Sequence, residues 1–288
     1  MSAQTQRSHA RSLGQSFALT LGHRAAVGLY MLFALFPLFW LIKISVTPDR
    51  LLYSEGIRLW PSSTTFANFN FVLLRSDFPV FFANSVLVSL GTALAVTIVA
   101  SAAGYAFSRF RFPSKYVVVF ILLLTQMFPL VMLIAPIYRL MTPLGLTDNL
   151  IGLVITYTAF NAPFATFLMQ SFFDGIPKEL EESAMIDGCT RFQALWRVIL
   201  PLTLPGMGAT LGFVFTAAWS ELLFALMLIN SEEKMTFAVG LLTFVSKFSV
   251  DWGQMMAAGV LALIPACIFF GFIQRYLVQG LTAGALKG

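Results

Sequence analysis

Six long apolar stretches constrain the fold of this chain more than any other feature. Each is long enough to cross the hydrocarbon core of a bilayer, which takes roughly 20 residues as an α-helix. With 58% hydrophobic and 11% charged residues, the chain has more apolar surface than a soluble fold could bury. We therefore expect an all-α, polytopic membrane protein, since helices satisfy their own backbone polar groups in lipid. Its six transmembrane helices are predicted at Ala25–Val46, Ala83–Phe107, Val117–Met141, Leu150–Phe173, Pro205–Ile229 and Met255–Val278.

The distribution of Lys and Arg predicts the orientation of these helices. Eleven of the 18 basic residues fall on the side that holds the N-terminus, six fall on the opposite side, and Lys43 lies within the first span. Basic residues concentrate in cytoplasmic loops, so we expect an N-in/C-in topology. The first stretch is too long for a cleavable signal and should be retained. The predicted parts are a cytoplasmic N-terminal segment at 1–24, a transmembrane domain at 25–278 and a cytoplasmic C-terminal tail at 279–288.

A polar, patterned segment at 174–204 stands out within this lipid-soluble chain. Pro177 suits the first position of a helix, and Gly188 is placed where a left-handed residue would end that helix. The predicted helix runs from Lys178 to about Asp187. Its N-terminal half carries carboxylates that complement the helix dipole, namely Glu179, Glu181 and Glu182.

A second short helix is predicted directly after Gly188. Thr190 with Gln193 three residues later forms the pattern of a capping box. The helix has an apolar stripe at positions i, i+3, i+4 and i+7, which we expect to pack against the transmembrane helices, and Pro201 and Pro205 are expected to end the element. The stripe consists of Phe192, Leu195, Trp196 and Ile199.

The first of these two helices has the features of a docking surface. Ala184 and Gly188 are small and lie four residues apart, so another surface could approach closely there. The carboxylates of Glu182 and Asp187 would be free to meet basic or N–H groups. An amphipathic surface helix without any partner fits the same pattern.

This segment resembles the EAA loop of permease subunits from binding-protein-dependent ABC importers. The pattern of that loop is E-A-A, three residues, G, nine residues, I, any residue, L-P. The chain supplies Glu182-Ser183-Ala184, then Gly188, then Val198, Leu200 and Pro201 at that spacing. It departs from the pattern only by Ser183 for Ala and Val198 for Ile. We refer to residues 174–204 as the EAA loop.

The resemblance extends over nearly the whole chain and is closest to the MalG-type permeases of carbohydrate importers. Further matching segments are Phe36-Pro37-Leu38-Phe39-Trp40, Leu144-Gly145-Leu146-Thr147-Asp148, Trp219-Ser220-Glu221 and the ending Gly280-Leu281-Thr282-Ala283-Gly284-Ala285. The resemblance implies a type-1 permease fold, a second homologous permease as heterodimer partner, two ABC ATPase subunits and an external solute-binding protein. It also implies that the EAA loop is a cytoplasmic coupling helix seated in the ATPase. The coupling residues would be Glu182, Ser183, Ala184, Asp187, Gly188, Leu200 and Pro201.

The sequence agrees that the energy source lies in other subunits. It contains no G-x-x-x-x-G-K-[ST] phosphate loop, so we expect no cofactor on this chain and ATP with magnesium on the partner ATPase. The only histidines are His9 and His23, too few for a metal cluster, and we expect no metal site and no catalytic residues.

Polar side chains inside the predicted helices are candidates for the solute path, because such groups usually face the interior of a helix bundle. Amide and carboxylate groups can bond sugar hydroxyls, and an aromatic face can cover the C–H surface of a sugar. The alternative is that these residues only join helices, at about 0.6 kcal/mol each. The candidates are Asn161, Gln170, Trp219, Ser220 and Glu221.

Three classes of protein therefore fit the chain to different degrees. A permease subunit requires the EAA loop. An ion-coupled secondary transporter would show inverted repeats, broken helices and intramembrane carboxylates, and a membrane-embedded enzyme would need a catalytic cluster. We expect the permease, in the cytoplasmic membrane of a bacterium or archaeon, with a di- or oligosaccharide as solute. A polyol or glycerol phosphate is compatible with the same residues.

Overall fold

The computed structural model describes the backbone of residues 3–285 and the side chains of residue 20 and residues 22–274. In that part of the chain, β pairing is confined to an isolated bridge between Val245 and Val250. The α-helices of the described residues are α1 (Ala3–Ser45), α2 (Asp49–Leu52), α3 (Ala67–Leu74), α4 (Phe78–Arg109), α5 (Lys115–Met127), α6 (Leu130–Met141), α7 (Leu150–Asp174), α8 (Lys178–Ile186), α9 (Arg191–Ala194), α10 (Leu200–Trp219), α11 (Leu223–Leu228), α12 (Phe237–Gly240) and α13 (Trp252–Ala285).

The chain divides into two units, and the smaller one holds the first span. It comprises residues 1–71 and 251–260. The part of α1 able to cross a membrane is Gly22–Ser45, and the helix begins upstream of it at Ala3. Beyond the end of α1, the side-chain amide of Asn68 donates to the carbonyls of Ser45 and Thr47 at 3.0 and 3.2 Å, which fixes the chain as it leaves the helix.

The larger unit, residues 72–250 and 261–288, is organised around α4. This helix packs most extensively along α7 and next along α10. A Cβ at Gly104 would lie only 2.8 Å from the backbone nitrogen of Gln170 on α7, so the two backbones approach closely at this glycine, as small residues allow in membrane helices. Leu153 and Tyr157 of α7 are almost fully buried in the same unit.

The fifth span differs from the sequence prediction of a helix at Pro205–Ile229. The apolar helix runs over Arg191–Trp219 instead, and Pro201 and Pro205 lie within it rather than ending an element. A π-helical turn at Leu195–Ile199 precedes Pro201, with the N–H of Leu200 bonded to the carbonyl of Leu195. The regular i to i−4 hydrogen bonding of the helix is therefore already interrupted at this turn. Pro201, which has no backbone N–H to donate, is accommodated there without ending the helix.

The third span is broken in its middle. We predicted one helix over Val117–Met141, but α5 and α6 meet at an angle of 104°. Phe128 and Pro129 between them are extended, with ψ of 129° and 124°, because a residue that precedes proline is disfavoured in the helical region.

A contact between the ends of α4 and α7, the helices on either side of the bent pair, indicates that the pair counts as one crossing. Arg109 at the end of α4 donates to the carbonyl of Ile176 after α7 at 2.9 Å, so these two ends lie on the same side of the membrane. Because α7 crosses once, α5 and α6 together must also cross once. The described helices then provide six spans, in agreement with the number expected from the sequence.

Candidate functional site

The first half of the EAA loop folds as a short helix that ends at a left-handed glycine. Helix α8 follows Pro177 and ends at Ile186, and Gly188 has φ of +92°. The N–H groups of Gly188 and Cys189 bond the carbonyls of Met185 and Ala184, which closes the helix. A residue with a Cβ rarely adopts this φ, so the turn requires glycine, as the sequence pattern predicted.

The second half of the EAA loop is continuous with a membrane-crossing helix. The hydroxyl of Thr190 accepts from the N–H of Gln193 at 3.3 Å, and the Gln193 side chain accepts from the N–H of Thr190 at 2.9 Å. This is the predicted capping box. Helix α9, the π-helical turn and α10 then follow without a break.

The seven coupling residues named from the sequence differ in exposure. Ala184 is only 8% exposed and packs inside the protein, so its small size serves an internal contact. Leu200 is half-buried. The exposed members are Glu182, Ser183, Asp187, Gly188 and Pro201.

The apolar stripe of the second helix does not pack inward as a whole, which corrects our expectation. Ile199 is buried and Leu195 is half-buried. Phe192 and Trp196 are 67% and 59% exposed, with their rings 6.1 Å apart. On α8, Ile186 is 85% exposed. The EAA loop therefore displays large apolar side chains together with free carboxylates.

An ionic cluster centred on the buried Glu181 joins the EAA loop to α4, with the half-exposed Arg191 at its edge. The hydroxyl of Tyr105 donates to Glu181 Oε1 at 2.6 Å, and Arg109 Nε donates to Oε2 at 3.2 Å. Arg191 Nε lies 3.6 Å from Oε1. The side chains of Glu181 and Arg109 are 6% and 4% exposed. Because a buried carboxylate needs such partners, Glu181 is fixed more firmly than any exposed acid of the loop.

Sequence reasoning did not identify this cluster. It gave Glu181 only the role of a negative charge near a helix N-terminus, and it counted Arg109 only toward the orientation. The partners Tyr105 and Glu181 are 76 residues apart in the chain, so no local spacing connects them. One local signal was available, because Glu181 and the buried Ala184 share a helix face at i and i+3.

Two of the five candidate path residues line one cavity of about 300 Å³. Asn161 donates to the carbonyl of Tyr157 at 2.8 Å. The Glu221 carboxylate accepts from the N–H groups of Phe224 and Ala225 at 3.0 and 3.2 Å, so it caps α11. The break between α5 and α6 also borders this cavity. Its lining residues are Thr125, Gln126, Phe128, Leu130, Tyr157, Phe160, Asn161, Ala217, Glu221 and Phe224.

The other three candidates lie outside the lining of this cavity. Trp219 is 4% exposed within a cluster of aromatic rings and donates its indole N–H to the carbonyl of Ala262 at 3.2 Å. Gln170 faces Asp174 on its own helix, and the exposed Ser220 donates to the carbonyl of Thr216. Among the described residues, no three His, Cys, Asp or Glu side chains are grouped as metal ligands.

A group of hydrogen bonds and an ion pair centred on Asp148, which we call the Asp148 latch, connects the turn before α7 to the loop after α11. Asp148 accepts hydrogen bonds from the N–H groups of Asn230 and Ser231, from the Ser231 hydroxyl and from Lys234 Nζ at 2.9 Å. These bonds, led by those from Ser231, hold the pKa of the Asp148 carboxyl well below its usual range. Asp148 has φ of +52°, a value that Asp and Asn tolerate better than most residues.

Comparison with known sequences gives consistent matches over most of the chain. The sequence model of the family described as "Binding-protein-dependent transport system inner membrane component" matches residues 96–283. The diacetylchitobiose uptake system permease protein DasC of Streptomyces coelicolor is 36% identical, over 88% of this chain and 92% of that protein. The trehalose/maltose transport system permease protein MalG of Thermococcus litoralis is 33% identical, over 90% of this chain and 94% of that protein.

Comparison with solved structures gives the same fold. A chain of a bacterial ABC transporter involved in the import of the acidic polysaccharide alginate matches with a TM-score of 0.79. The match covers 91% of this chain and 97% of that chain at 24% sequence identity. At this identity the likeness establishes the arrangement of the helices.

Proposed function

Because the chain belongs to the family of inner-membrane components of binding-protein-dependent transport systems, we propose that it is the permease subunit of an ABC importer. The proposed solute is a di- or oligosaccharide, in keeping with the relatives named for diacetylchitobiose and for trehalose/maltose. The protein is a multi-pass membrane protein, and its proposed location is the cytoplasmic membrane of a bacterium or archaeon. It carries no cofactor in this proposal, since ATP and magnesium are used by the partner ATPase.

The exposed surface of the EAA loop is the observation that carries this proposal. Glu182 and Asp187 are exposed, and the apolar side chains of Ile186, Phe192 and Trp196 are exposed with them. Apolar side chains of this size are characteristic of protein interfaces when they occur together with a few placed polar groups. The proposed occupant of this surface is a cleft of the ATPase, and the loop would then be its coupling helix.

The cavity between α5, α6, α7 and α10 is the proposed contribution of this chain to the solute path. Asn161 and Glu221 are two of the residues first considered from the sequence, and Gln126 adds a second amide. Phe160 and Phe224 stack at 4.9 Å and give the cavity an aromatic wall suited to the C–H face of a sugar ring. Trp219, Gln170 and Ser220 would support the surrounding helices.

The proposed assembly contains a second, homologous permease, two ATPase subunits and an external solute-binding protein. A cavity of about 300 Å³ is at the lower end of the range for ligand sites, which fits a path completed by another permease. One chain also offers a single EAA loop, so two ATPases require two permeases.

An ion-coupled secondary transporter would share two features with this structure, namely the break between α5 and α6 and a carboxylate, Glu221, in the lining of a cavity. The carboxylate, however, is already engaged by two backbone N–H groups as the cap of α11. Membership in the family of binding-protein-dependent transport components also favours the ABC permease over this alternative.

Affinity purification of the tagged chain from native membranes in mild detergent tests the proposal. We expect a second multi-helix subunit and an ATPase with a Walker motif to co-purify, and the associated binding protein to retain a saccharide detectable by mass spectrometry. Recovery of the chain alone, with transport in vesicles that contain no ATP, would contradict the proposal.

A further inference from the structure

The carboxylate of Glu181 is held by side chains from two other parts of the chain. Tyr105 and Arg109 lie one turn apart at the end of α4, and Arg191 is the first residue of α9. We propose that these four side chains form a mechanical joint, the Glu181 joint, that passes movement of the EAA loop to α4. This inference rests on the proposed function and extends it to a helix that does not adjoin the loop in sequence.

The geometry of the joint restricts movement in more than one direction. Tyr105 and Arg191 engage Glu181 Oε1, whereas Arg109 engages Oε2. The carboxylate therefore cannot rotate without losing a charge-assisted bond. Arg109 is itself fixed by its bond to the carbonyl of Ile176, just before α8. The start of α8 and its first turn are thus both attached to the end of α4.

Burial separates Glu181 from the other acids of the same helix. The side chains of Glu181 and Arg109 are 6% and 4% exposed, and in such surroundings their interaction is weakly screened by water and salt. Glu179 and Glu182 are exposed, and exposed ion pairs contribute little. Loss of one partner inside the joint would leave a buried charge without compensation.

Helix α4 is well placed to distribute a displacement that enters through the joint. It packs along α7 and α10, and these helices carry Asn161 and Ala217 of the cavity lining. Gly104, which lies close to the backbone of α7, is the residue directly before Tyr105. Movement at the joint would therefore reach the wall of the proposed solute path through packed helices rather than through the loop alone.

The test follows two labels in the assembled importer in nanodiscs while ATP and vanadate are added. One spin label is attached to the native Cys189 of the EAA loop, with Cys267→Ser. The other is attached to α4 through Ile98→Cys, with both native cysteines replaced by Ser; Ile98 is 67% exposed on the outside of α4. The compared variants are the unaltered joint, Glu181→Gln, Tyr105→Phe and the control Glu179→Gln on the exposed face.

With the joint intact, both labels should respond to ATP and vanadate. In Glu181→Gln the Cys189 label should still respond, while the equilibrium constant reported by the Ile98 label falls by about tenfold, equivalent to about 1.4 kcal/mol of coupling. Tyr105→Phe, which removes one hydroxyl and no charge, should give a smaller loss of the same kind even where Glu181→Gln does not assemble. Glu179→Gln should match the intact joint.

Unchanged Ile98 responses in both joint variants would overturn the inference while leaving the proposed function in place. A loss of the Ile98 response in Glu179→Gln equal to that in Glu181→Gln would also overturn it. Failure of the Cys189 label to respond with the joint intact would overturn the proposed function, and the inference with it.

Discussion

Gly188 combines a strained backbone position with a place on the proposed docking surface. Its φ of +92° costs a residue with a Cβ of order 1–3 kcal/mol, and its surroundings are open. We predict that Gly188→Asp, and separately Glu182→Lys, leave membrane insertion intact but lower transport per ATP hydrolysed by about tenfold or more. Transport and ATPase assays in proteoliposomes would measure this ratio, and unchanged coupling in either variant would rule out the coupling-loop assignment.

The contact of Asp148 with the loop after α11 should depend on pH. Its folded pKa is lowered, so the stabilisation is fully present above the unfolded value of about 3.9 and is lost as pH falls through the folded pKa. Asp148→Asn keeps a residue that tolerates φ of +52° but removes the charge facing Lys234. We expect faster amide hydrogen exchange at Asn230 and Ser231 in this variant at pH 7.

The pH dependence of the same measurement supplies the control. The ratio of exchange rates between Asp148→Asn and the unaltered chain should begin to fall as pH drops below the unfolded value of about 3.9. It should approach one only as pH falls through the lower folded pKa, where the aspartate loses its charge as well. A ratio near one at pH 7 would show that the Asp148 latch does not hold the loop.

Residues whose role is set by near neighbours could be predicted from the sequence. Gly188 and the capping box of Thr190 and Gln193 follow from spacing within one turn or two. The burial of Glu181 depends on Tyr105 and Arg109, and the burial of Trp219 depends on rings from other helices. Such long-range contacts determine which polar residues face a cavity, and a single sequence carries no local record of them.

At the scale of elements, α4 faces α7 with two glycines that leave different amounts of space for an added Cβ atom. A Cβ at Gly104 would lie 2.8 Å from a backbone nitrogen, whereas a Cβ at Gly91 would lie 3.4 Å from a methyl group of Val154. We predict that Gly104→Ala destabilises the protein by about 1–3 kcal/mol, because backbone cannot move aside as a side chain can. Gly91→Ala is the matched control on the same helix.

Heating in detergent followed by size-exclusion chromatography would measure the effect. The apparent melting temperature of Gly104→Ala should fall by several degrees. That of Gly91→Ala should be unchanged or higher, since alanine favours a helix over glycine by roughly 0.5–1 kcal/mol. Equal melting temperatures for the two variants would contradict the close approach of α4 and α7.

Prolines account for the elements whose limits the sequence predicted wrongly. Pro129 breaks a stretch that hydropathy alone reads as one span, while Pro201 and Pro205 lie inside a helix. The proline ring has the same local effect in each case. Whether the helix breaks or continues depends on whether the neighbouring backbone can rearrange, as it does in the π-helical turn before Pro201. Packing against other helices determines which of the two occurs.

At the scale of the whole molecule, the predicted topology specifies which loops lie on each side of the membrane. If the termini are cytoplasmic, Ile186 and Phe248 lie on opposite faces of the membrane, and both are highly exposed, at 85% and 90%. With Cys189 and Cys267 replaced by Ser, a membrane-impermeant maleimide should label Ile186→Cys only in inverted vesicles stripped of peripheral proteins. It should label Phe248→Cys only in right-side-out vesicles.

The opposite labelling of both positions would reverse the predicted orientation. Labelling of both positions from one side would contradict the single crossing by α10 and with it the six-span topology. The labelling pattern therefore tests the positive-inside argument independently of transport.

The separation of Arg109 and Glu181 also has a consequence for biogenesis. The two residues are 72 positions apart, so at about 5–20 residues per second roughly 4–14 s of translation separate them. During that interval the guanidinium of Arg109 is without the carboxylate that it contacts in the folded chain. The ribosome thus delivers the carboxylate only after α5, α6 and α7 have been synthesised, and before α10 and α13. The contact between Arg109 and Glu181 can therefore form only after the chain has passed through three further helices.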